Sequence, residues 1–402
     1  MRNLLTAAAI LVLLAGGGLS AAHAQSGPGI REQDPPCAYV IIPYRNVNTT
    51  CIELTYDDVP ASQAAPELGA LAIAPDDTLY VLKVAAGEIW AMRDEDGNRF
   101  MEPAERVAGG LTLPTGLAFY DGALYAVDLD GIARVDDLGG EASVTRLVDG
   151  WAIDSGVWTG GIGVGPDGRL YASVGAACGD CAETVEGRGV LLSYALDGSD
   201  RRIEATGLRA PVDLTWDPAT GDLWILDQGR IIPGLDSDQP PGELNRFAAG
   251  DDYGFPYCYG GHQPDPTLTP PGDDYCAQTH APETLFPYQS NPSGMVFYSG
   301  DAFHDWQGDL ILALNGSWNL PEPAGYAVIA EQFADGLPTG TYEYLAPASE
   351  NLDTFHLYEY SLKGWGFYPF HPVDVAVDSA GWIYVSVQEG RIYRIRPRPV
   401  MR

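Results

Sequence analysis

Apolar and polar positions alternate along most of this chain, in short runs cut by turns rather than in helical stripes. "GALAIAPDDTLYVLKVAAGEIWAM" from Gly69, "GLAFYDGALYAVDLDGIARV" from Gly116 and "GIGVGPDGRLYASVG" from Gly161 share one order of parts. That order returns in "VDLTWDPATGDLWILDQGR" from Val212, "GMVFYSGDAFHDWQGDLILALNGS" from Gly294 and "VDVAVDSAGWIYVSVQEGRIYRIR" from Val373. Each copy is an alternating strand, a polar turn, a Leu-Tyr-type strand and often a third strand after glycine. A period of two gives strands with two distinct faces. In Gly165-Pro166-Asp167-Gly168, proline presets φ at the second turn position, aspartate favours the third and glycine is permissive at the fourth. Repeats of roughly 45 residues with this content mark propeller blades, so the pattern predicts an all-β, six-bladed β-propeller. The spacing widens around the fourth and fifth copies. Arg230 to Pro292, rich in Pro, Gly, Asp and Tyr, is expected as a long loop between blades 4 and 5 that caps one mouth of the channel.

The first residues depart from the pattern. Met1-Arg2-Asn3, an apolar run from Leu4 to about Gly18 and Ala22-His23-Ala24 read as a secretory signal over 1–24. The run is shorter than the roughly 20 residues a membrane span needs, so a secreted or periplasmic protein without a span is expected. Residues 25–64 fit no copy of the repeat, and 65–398 are expected to hold the propeller. The cysteines fall into three close pairs, Cys37 with Cys51, Cys178 with Cys181 and Cys258 with Cys276, read as local disulfides of an oxidising compartment. A zinc site or a thioredoxin-like role for Cys178 and Cys181 has no supporting histidine or βαβ context. The formal net charge of −33, from 55 acidic and 22 basic residues, repels phosphate backbones and argues against nucleic acid. It tolerates neutral ligands such as sugars and attracts cations; a saline habitat would leave the same composition.

"GPDGRLYASVGAACGDC", "ATGLRAPVDLTWDPATGDLWILDQG", "ELNRFAAGDDYGFPYCYGG", "GDLILALNGSWN" and "GWIYVSVQEGRIYRIR" resemble the glucose/sorbosone dehydrogenase family over roughly residues 65 to 397. The resemblance implies a soluble six-bladed quinoprotein that holds pyrroloquinoline quinone (PQQ) and Ca2+ at the channel mouth. It implies oxidation of a sugar or a related polyol or aldehyde, with an unknown electron acceptor. It places the catalytic histidine a few residues before Gly165-Pro166-Asp167-Gly168, where this chain has Val157, which takes no proton. Gly207-Leu208-Arg209-Ala210-Pro211 keeps the arginine that would pair a PQQ carboxylate and loses an amide at Ala210. Asn315 stands where a lysine or histidine is usual, and His371 where an arginine is. The resemblance thus implies Arg209, Gln228, Gly229 and Asn315 as cofactor contacts and Asp227, Gly229 and Arg230 as the calcium loop. Glu243, Asn245, Tyr253 and Gly254 also agree with the family, or only fix the base of the lid.

Three residues are candidates for the missing base. His371 falls near the axis by its place in the last blade. Asp213 of "PVDLTW" and Asp374 of "PVDVAV" occupy equivalent positions where glycine is expected; they would bind calcium, replace the base, or hydrogen-bond the neighbouring blade's backbone. "DEDGNRFMEPAE" spaces Asp94, Asp96, Asn98 and Glu105 like a calcium loop, but Arg99 stands where glycine is needed, which favours a plain acidic turn. His262, His280, His304 and His356 lack ligand spacing, and Ser317 lies in no hydrolase motif. Three functions remain open: a quinoprotein-like oxidoreductase with PQQ and calcium; a catalytically impaired propeller that binds a sugar, a cation or a protein; and, by fold analogy alone, a calcium-assisted lactone hydrolase.

Overall fold

Every repeat read from the alternation becomes one four-stranded antiparallel sheet in the computed structural model. The structure describes residues 50–57, 68–97, 101–151, 153, 160–232, 234–235, 239–317, 324–346 and 371–397. Blade 1 comprises β2 (Leu68–Ile73), β3 (Leu79–Lys83), β4 (Glu88–Met92) and β5 (Glu105–Gly109). Blade 2 comprises β6 (Gly116–Tyr120), β7 (Ala123–Asp128), β8 (Gly131–Asp136) and β9 (Ser143–Val148). Blade 3 comprises β10 (Ile162–Val164), β11 (Leu170–Val174), β12 (Val190–Tyr194) and β13 (Arg202–Ala205). Blade 4 comprises β14 (Pro211–Trp216), β15 (Leu223–Asp227), β16 (Gly242–Arg246) and β19 (Thr284–Phe286), with a two-stranded ribbon of β17 (Cys258–Tyr259) and β18 (Gln263–Pro264) inserted. Blade 5 comprises β20 (Pro292–Phe297), β21 (Leu310–Leu314), β22 (Ala327–Ala334) and β23 (Leu337–Ala346). Blade 6 takes β24 (Pro372–Val377), β25 (Ile383–Val387) and β26 (Arg391–Pro397) from the end of the chain. Its fourth strand is β1 (Thr50–Asp57), from the beginning.

The first strand of each blade contacts the first strand of the next, in the closed order β2, β6, β10, β14, β20, β24 and back to β2. The buried apolar side chains form six clusters, and each cluster spans one pair of adjacent blades. That explains why the second strands are buried on both faces although their sequences suggest two-faced strands: each is covered by a blade on either side. Outer strands such as β9 and β13 carry the exposed positions.

The Pro-Asp-Gly turn forms as its chemistry requires. Gly168 donates its N–H to Gly165 O (2.9 Å) at φ 76°, and Asp167 accepts from Arg169 N and the Tyr171 hydroxyl, both at 3.1 Å. Asp378 repeats the device in blade 6, accepting from Trp382 N (2.8 Å) and the Tyr384 hydroxyl (3.1 Å).

Two placements differ from the sequence expectation. Residues 25–64, left unassigned by the pattern, supply β1, which pairs antiparallel with β26 from Thr50↔Pro397 to Asp57↔Arg391. The disulfide-held insertion lies within blade 4, between its third and fourth strands, rather than between blades 4 and 5. Strand β19 returns after it to finish the sheet. The Cys178–Cys181 and Cys258–Cys276 bridges are both formed, whereas Cys37 and the signal-like segment 1–24 lie outside the described residues. In "DEDGNRFMEPAE", Asp94 accepts from the buried Arg394 at 3.0 Å, and Asn98 and Arg99 lie outside the described residues. No helix among the described residues is long and apolar enough to cross a membrane.

Side chains near the axis stitch blade to blade. Asp213 accepts from Met295 N and Asp374 from Leu71 N, both at 2.7 Å. The Ser173, Ser293 and Ser386 hydroxyls donate to Pro211 O (2.7 Å), Pro372 O (3.1 Å) and Gly69 O (2.8 Å). Close approach of the inner strands explains the glycines there. A Cβ on Gly294 would lie 2.3 Å from Asp374 Oδ1 and 2.6 Å from its Cα, while one on Gly139 would meet nothing within 4 Å. Gly294→Ala is therefore expected to lose about 1–3 kcal/mol through overpacking. Gly139→Ala should unfold at the wild-type temperature; equal thermal midpoints for the two variants would contradict this account of the inner wall.

Candidate functional site

The inner strands begin, and the second strands end, at one end of the axis. Three blades build that end in the same way. A residue preceding proline opens the inner strand, and an amide residue follows the second strand: Ala210 with Gln228, Asn291 with Asn315, His371 with Gln388. Within each pair the amide residue donates its backbone N–H to the carbonyl of the residue before proline, at 3.1, 2.8 and 2.9 Å. In blades 4 and 5 the amide side chain then reaches the next blade. Gln228 Nε2 donates to Pro292 O at 2.8 Å and Asn315 Nδ2 to Pro372 O at 3.0 Å. Asn291 Nδ2 donates to Gly316 O at 2.8 Å.

These groups surround an axial cavity of about 370 Å3. Its polar lining consists of Thr115, Gln228, Asn291, Ser293, Asn315 and Gln388, over an apolar floor that includes Leu68, Val84, Val212 and Val373. No charged side chain among the described residues lines it. Gln228, Asn291 and Asn315 each spend one N–H on a backbone carbonyl and keep an amide oxygen and a second N–H. A side chamber of about 230 Å3 shares Gln228 and Asn291 with the cavity and adds Arg209, Gly229 and Tyr288.

The loop bearing Arg209 is anchored from beneath. Gly207, at φ 72°, allows close approach: a Cβ there would meet Asp252 Oδ1 at 1.9 Å. The Asp227 carboxylate accepts from the backbone N–H of Arg209 (2.8 Å) and Ala210 (2.6 Å). The Arg209 guanidinium donates through Nε to Gly179 O (3.1 Å) and through Nη1 to Gln228 O (3.1 Å) and Gly229 O (2.9 Å). Burial lowers its pKa, opposed by Asp227. Arg230 is committed elsewhere, to the buried Asp265 and to Thr267 (2.6 Å). Burial pushes Asp227 up to about 6. Burial, and then the neighbouring Asp227, push Glu243 up to about 7; Glu243 accepts from Gly260 N at 2.7 Å.

The three candidate bases lie in different settings. His371 is buried, its ring 4.9 Å from that of Tyr326 and its Nδ1 3.0 Å from Asn315 O. A carbonyl only accepts, so Nδ1 carries the proton and Nε2 the lone pair. Burial lowers the His371 pKa, opposed by the hydrogen bond to the Asn315 backbone. Asp213 and Asp374 stand deeper, beside a narrow continuation of the cavity with Thr115, Ser293 and Val373. Each takes two backbone N–H groups, one of its own strand and one of the next blade. Burial raises both carboxyl pKa values, and Asp374 further raises Asp213. Val157 lies outside the described residues.

The structure thus brings Arg209, Gln228, Gly229 and Asp227 together, joins Asn315 to His371, and sets Asp213 and Asp374 below them. Sequence reasoning missed Asn291, Ser293, Gln388 and Thr115. A signal was present in the residue-before-proline and strand-then-amide pattern of blades 4, 5 and 6.

Comparison with known proteins agrees with this architecture. The family model described as Glucose / Sorbosone dehydrogenase matches residues 194–317, and one described as Strictosidine synthase-like, N-terminal, matches 371–395. Over residues 194–317 the chain is thus similar to the glucose/sorbosone dehydrogenases, and its fold is a six-bladed propeller. The fold is similar to the calcium structure of a Trichoderma reesei carbohydrate-active enzyme of family AA12 (18% identity, 86% of this chain and 95% of that one, TM-score 0.68). It is also similar to the holo form of the pyranose dehydrogenase PQQ domain from Coprinopsis cinerea (18%, 86% and 95%, TM-score 0.65). The PQQ-bound aldose sugar dehydrogenase of Streptomyces coelicolor gives 18%, 87% and 98%, with a TM-score of 0.59. An uncharacterized protein of Borreliella burgdorferi is 29% identical over 149 residues, 35% of this chain; the match spans 36% of that protein's length.

Glu243 yields a test of the site's electrostatics. Its folded pKa, about 7, exceeds the unfolded carboxylate value. The folded state therefore binds the proton more tightly, and the stability this confers is lost as pH rises through about 7. Glu243→Gln removes that charge and keeps an oxygen to accept from Gly260 N. The variant is expected to be more stable than wild type by about 1–3 kcal/mol at pH 8 and no more stable near pH 4. Denaturant unfolding across pH checks it; a pH-independent difference would remove the assignment.

Proposed function

We propose that this chain is an exported oxidoreductase of the glucose/sorbosone dehydrogenase kind that takes a sugar, or a related polyol or aldehyde, in the axial cavity. The carrying observation is the lining of that cavity. Three side-chain amides, each fixed by one hydrogen bond and each with an oxygen and an N–H left over, line a space without a charged side chain among the described residues. A hydroxyl both donates and accepts, so a polyhydroxylated ligand can satisfy both halves of each amide. Preformed amides lose little side-chain freedom on binding, which favours affinity. The two disulfides agree with an oxidising compartment.

Oxidation needs a hydride acceptor, which PQQ supplies when a propeller of this kind binds it. The described residues do not fit that tricarboxylate well: Arg209 is the one basic side chain facing the chambers with a nitrogen to spare, and burying three carboxylates calls for more. No step is therefore drawn through the quinone. The groups that would take a substrate proton are His371, which is joined to the cavity lining through Asn315 and has Glu389 3.9 Å from its Nε2, and the Asp213 and Asp374 pair.

A second reading, a sugar-binding module without redox chemistry, is favoured by the structural engagement of those same groups. Each candidate carboxylate already holds two backbone N–H groups, and His371 is packed and hydrogen-bonded. Purified protein should bind aldoses by calorimetry, and their oxidation in a dye-linked assay is the outcome that selects the oxidoreductase reading. Asn315→Ala should weaken that binding about tenfold through the loss of a fixed, partly buried hydrogen-bonding group. Binding without oxidation would select the second reading, and the absence of any sugar binding would overturn both.

A further inference from the structure

We propose that the guanidinium of Arg209 stands in for a divalent cation at the carbonyls of Gln228 and Gly229, so that this mouth is assembled without metal. The resemblance assigns calcium to the loop Asp227-Gln228-Gly229-Arg230, and every group in that loop can be followed. Gln228 O and Gly229 O converge on one atom, Arg209 Nη1, at 3.1 and 2.9 Å. Both hydrogens of that nitrogen are thereby used. The Asp227 carboxylate faces the backbone N–H groups of Arg209 and Ala210. The Arg230 side chain turns to Asp265 and Thr267. Among the described residues no group of three or more His, Cys, Asp or Glu side chains has a geometry for a metal ion.

A calcium ion bonds oxygen at about 2.3–2.6 Å and gathers six to eight such ligands. To touch both carbonyls it would have to stand where Nη1 stands, beside a side chain that keeps its charge at any physiological pH. The two cations are therefore alternatives. The guanidinium has the better support here. Nε is held by Gly179 O, within the loop closed by Cys178–Cys181, and the backbone nitrogen is held by Asp227. Three carbonyls thus meet one planar fork from three directions, as a guanidinium suits and an ammonium does not. The remaining nitrogen, Nη2, has no hydrogen bond among the described residues, and Arg209 lines the side chamber.

The test is thermal unfolding of the full protein with no sugar present, so it stands or falls apart from the reading of the cavity. Wild type should unfold at the same temperature in EDTA and in millimolar CaCl2, once the general effect of a divalent cation on so acidic a surface is removed by comparison with MgCl2. Arg209→Met orphans the carbonyls and should unfold several degrees lower. Millimolar CaCl2, but not MgCl2, should restore at least half of that loss. If Arg209→Met does not fold, Arg209→Lys, whose ammonium reaches fewer carbonyls, carries the same comparison with a smaller loss. A calcium-specific rise in wild type overturns the proposal, because the carbonyls would then be open to metal. A loss that calcium does not specifically repair overturns it as well, because the guanidinium would then replace nothing.

Discussion

The hydrogen bonds that cross from the first and second strands of one blade to the inner strand of the next are the constraint on which the molecule rests. Apolar burial holds adjacent blades together, but it is non-directional and would tolerate sliding. Sliding is prevented at the axis, where a side chain in blade n bonds a backbone group in blade n+1. Ser173 does so from blade 3 to 4, Gln228 and Asp213 from 4 to 5, Asn315 and Ser293 from 5 to 6, Asp374 and Ser386 from 6 to 1. Buried peptide groups at the inner edges would otherwise be left without partners, at a cost of about 1–3 kcal/mol each. The stitching therefore fixes blades 3, 4, 5, 6 and 1 against one another at their inner edges.

Structure and site use the same atoms. One N–H of Gln228 and of Asn315 fixes a neighbouring blade, and the rest of each amide lines the cavity. Asp227 shapes the loop that presents Arg209, and Glu243 lies near enough for their charges to interact. The raised pKa values at the inner end follow from this double use: carboxylates placed to hold backbone N–H groups are buried, and burial disfavours their charge. A perturbed carboxyl here is as much a property of the wall as of a reaction.

The architecture was legible because it repeats. Six copies of one alternation, with turns such as Gly165-Pro166-Asp167-Gly168, carry their own register, and they became six blades. Three features were not legible, each for a physical reason. Strand β1 carries no copy of the motif, because a lone outer strand takes its register from a partner more than 300 positions away. The Cys258–Cys276 segment interrupts blade 4 because nothing in its composition says that β19 will resume the sheet. At the mouth, Arg209, Gln228 and Gly229 were found by resemblance. Asn291 and Gln388 were missed because an isolated amide has no motif; only alignment of the blades in space shows that each follows the same rule. The two aspartates were visible as departures from glycine, but only coordinates show that each clasps the next strand.

Closure of blade 6 by β1 ties the beginning of the chain to its end, and this bears on how the protein comes into being. The strand that completes the ring is synthesised before any blade, and its partner β26 after all the others. Blades 1 to 5 are built from contiguous sequence and can form in order, while β1 keeps an unpaired edge until the last residues appear. Non-local pairing of this kind bears the loop-closure entropy before any contact rewards it. Blade 6 is accordingly complete only when β26 has been made and has taken up β1.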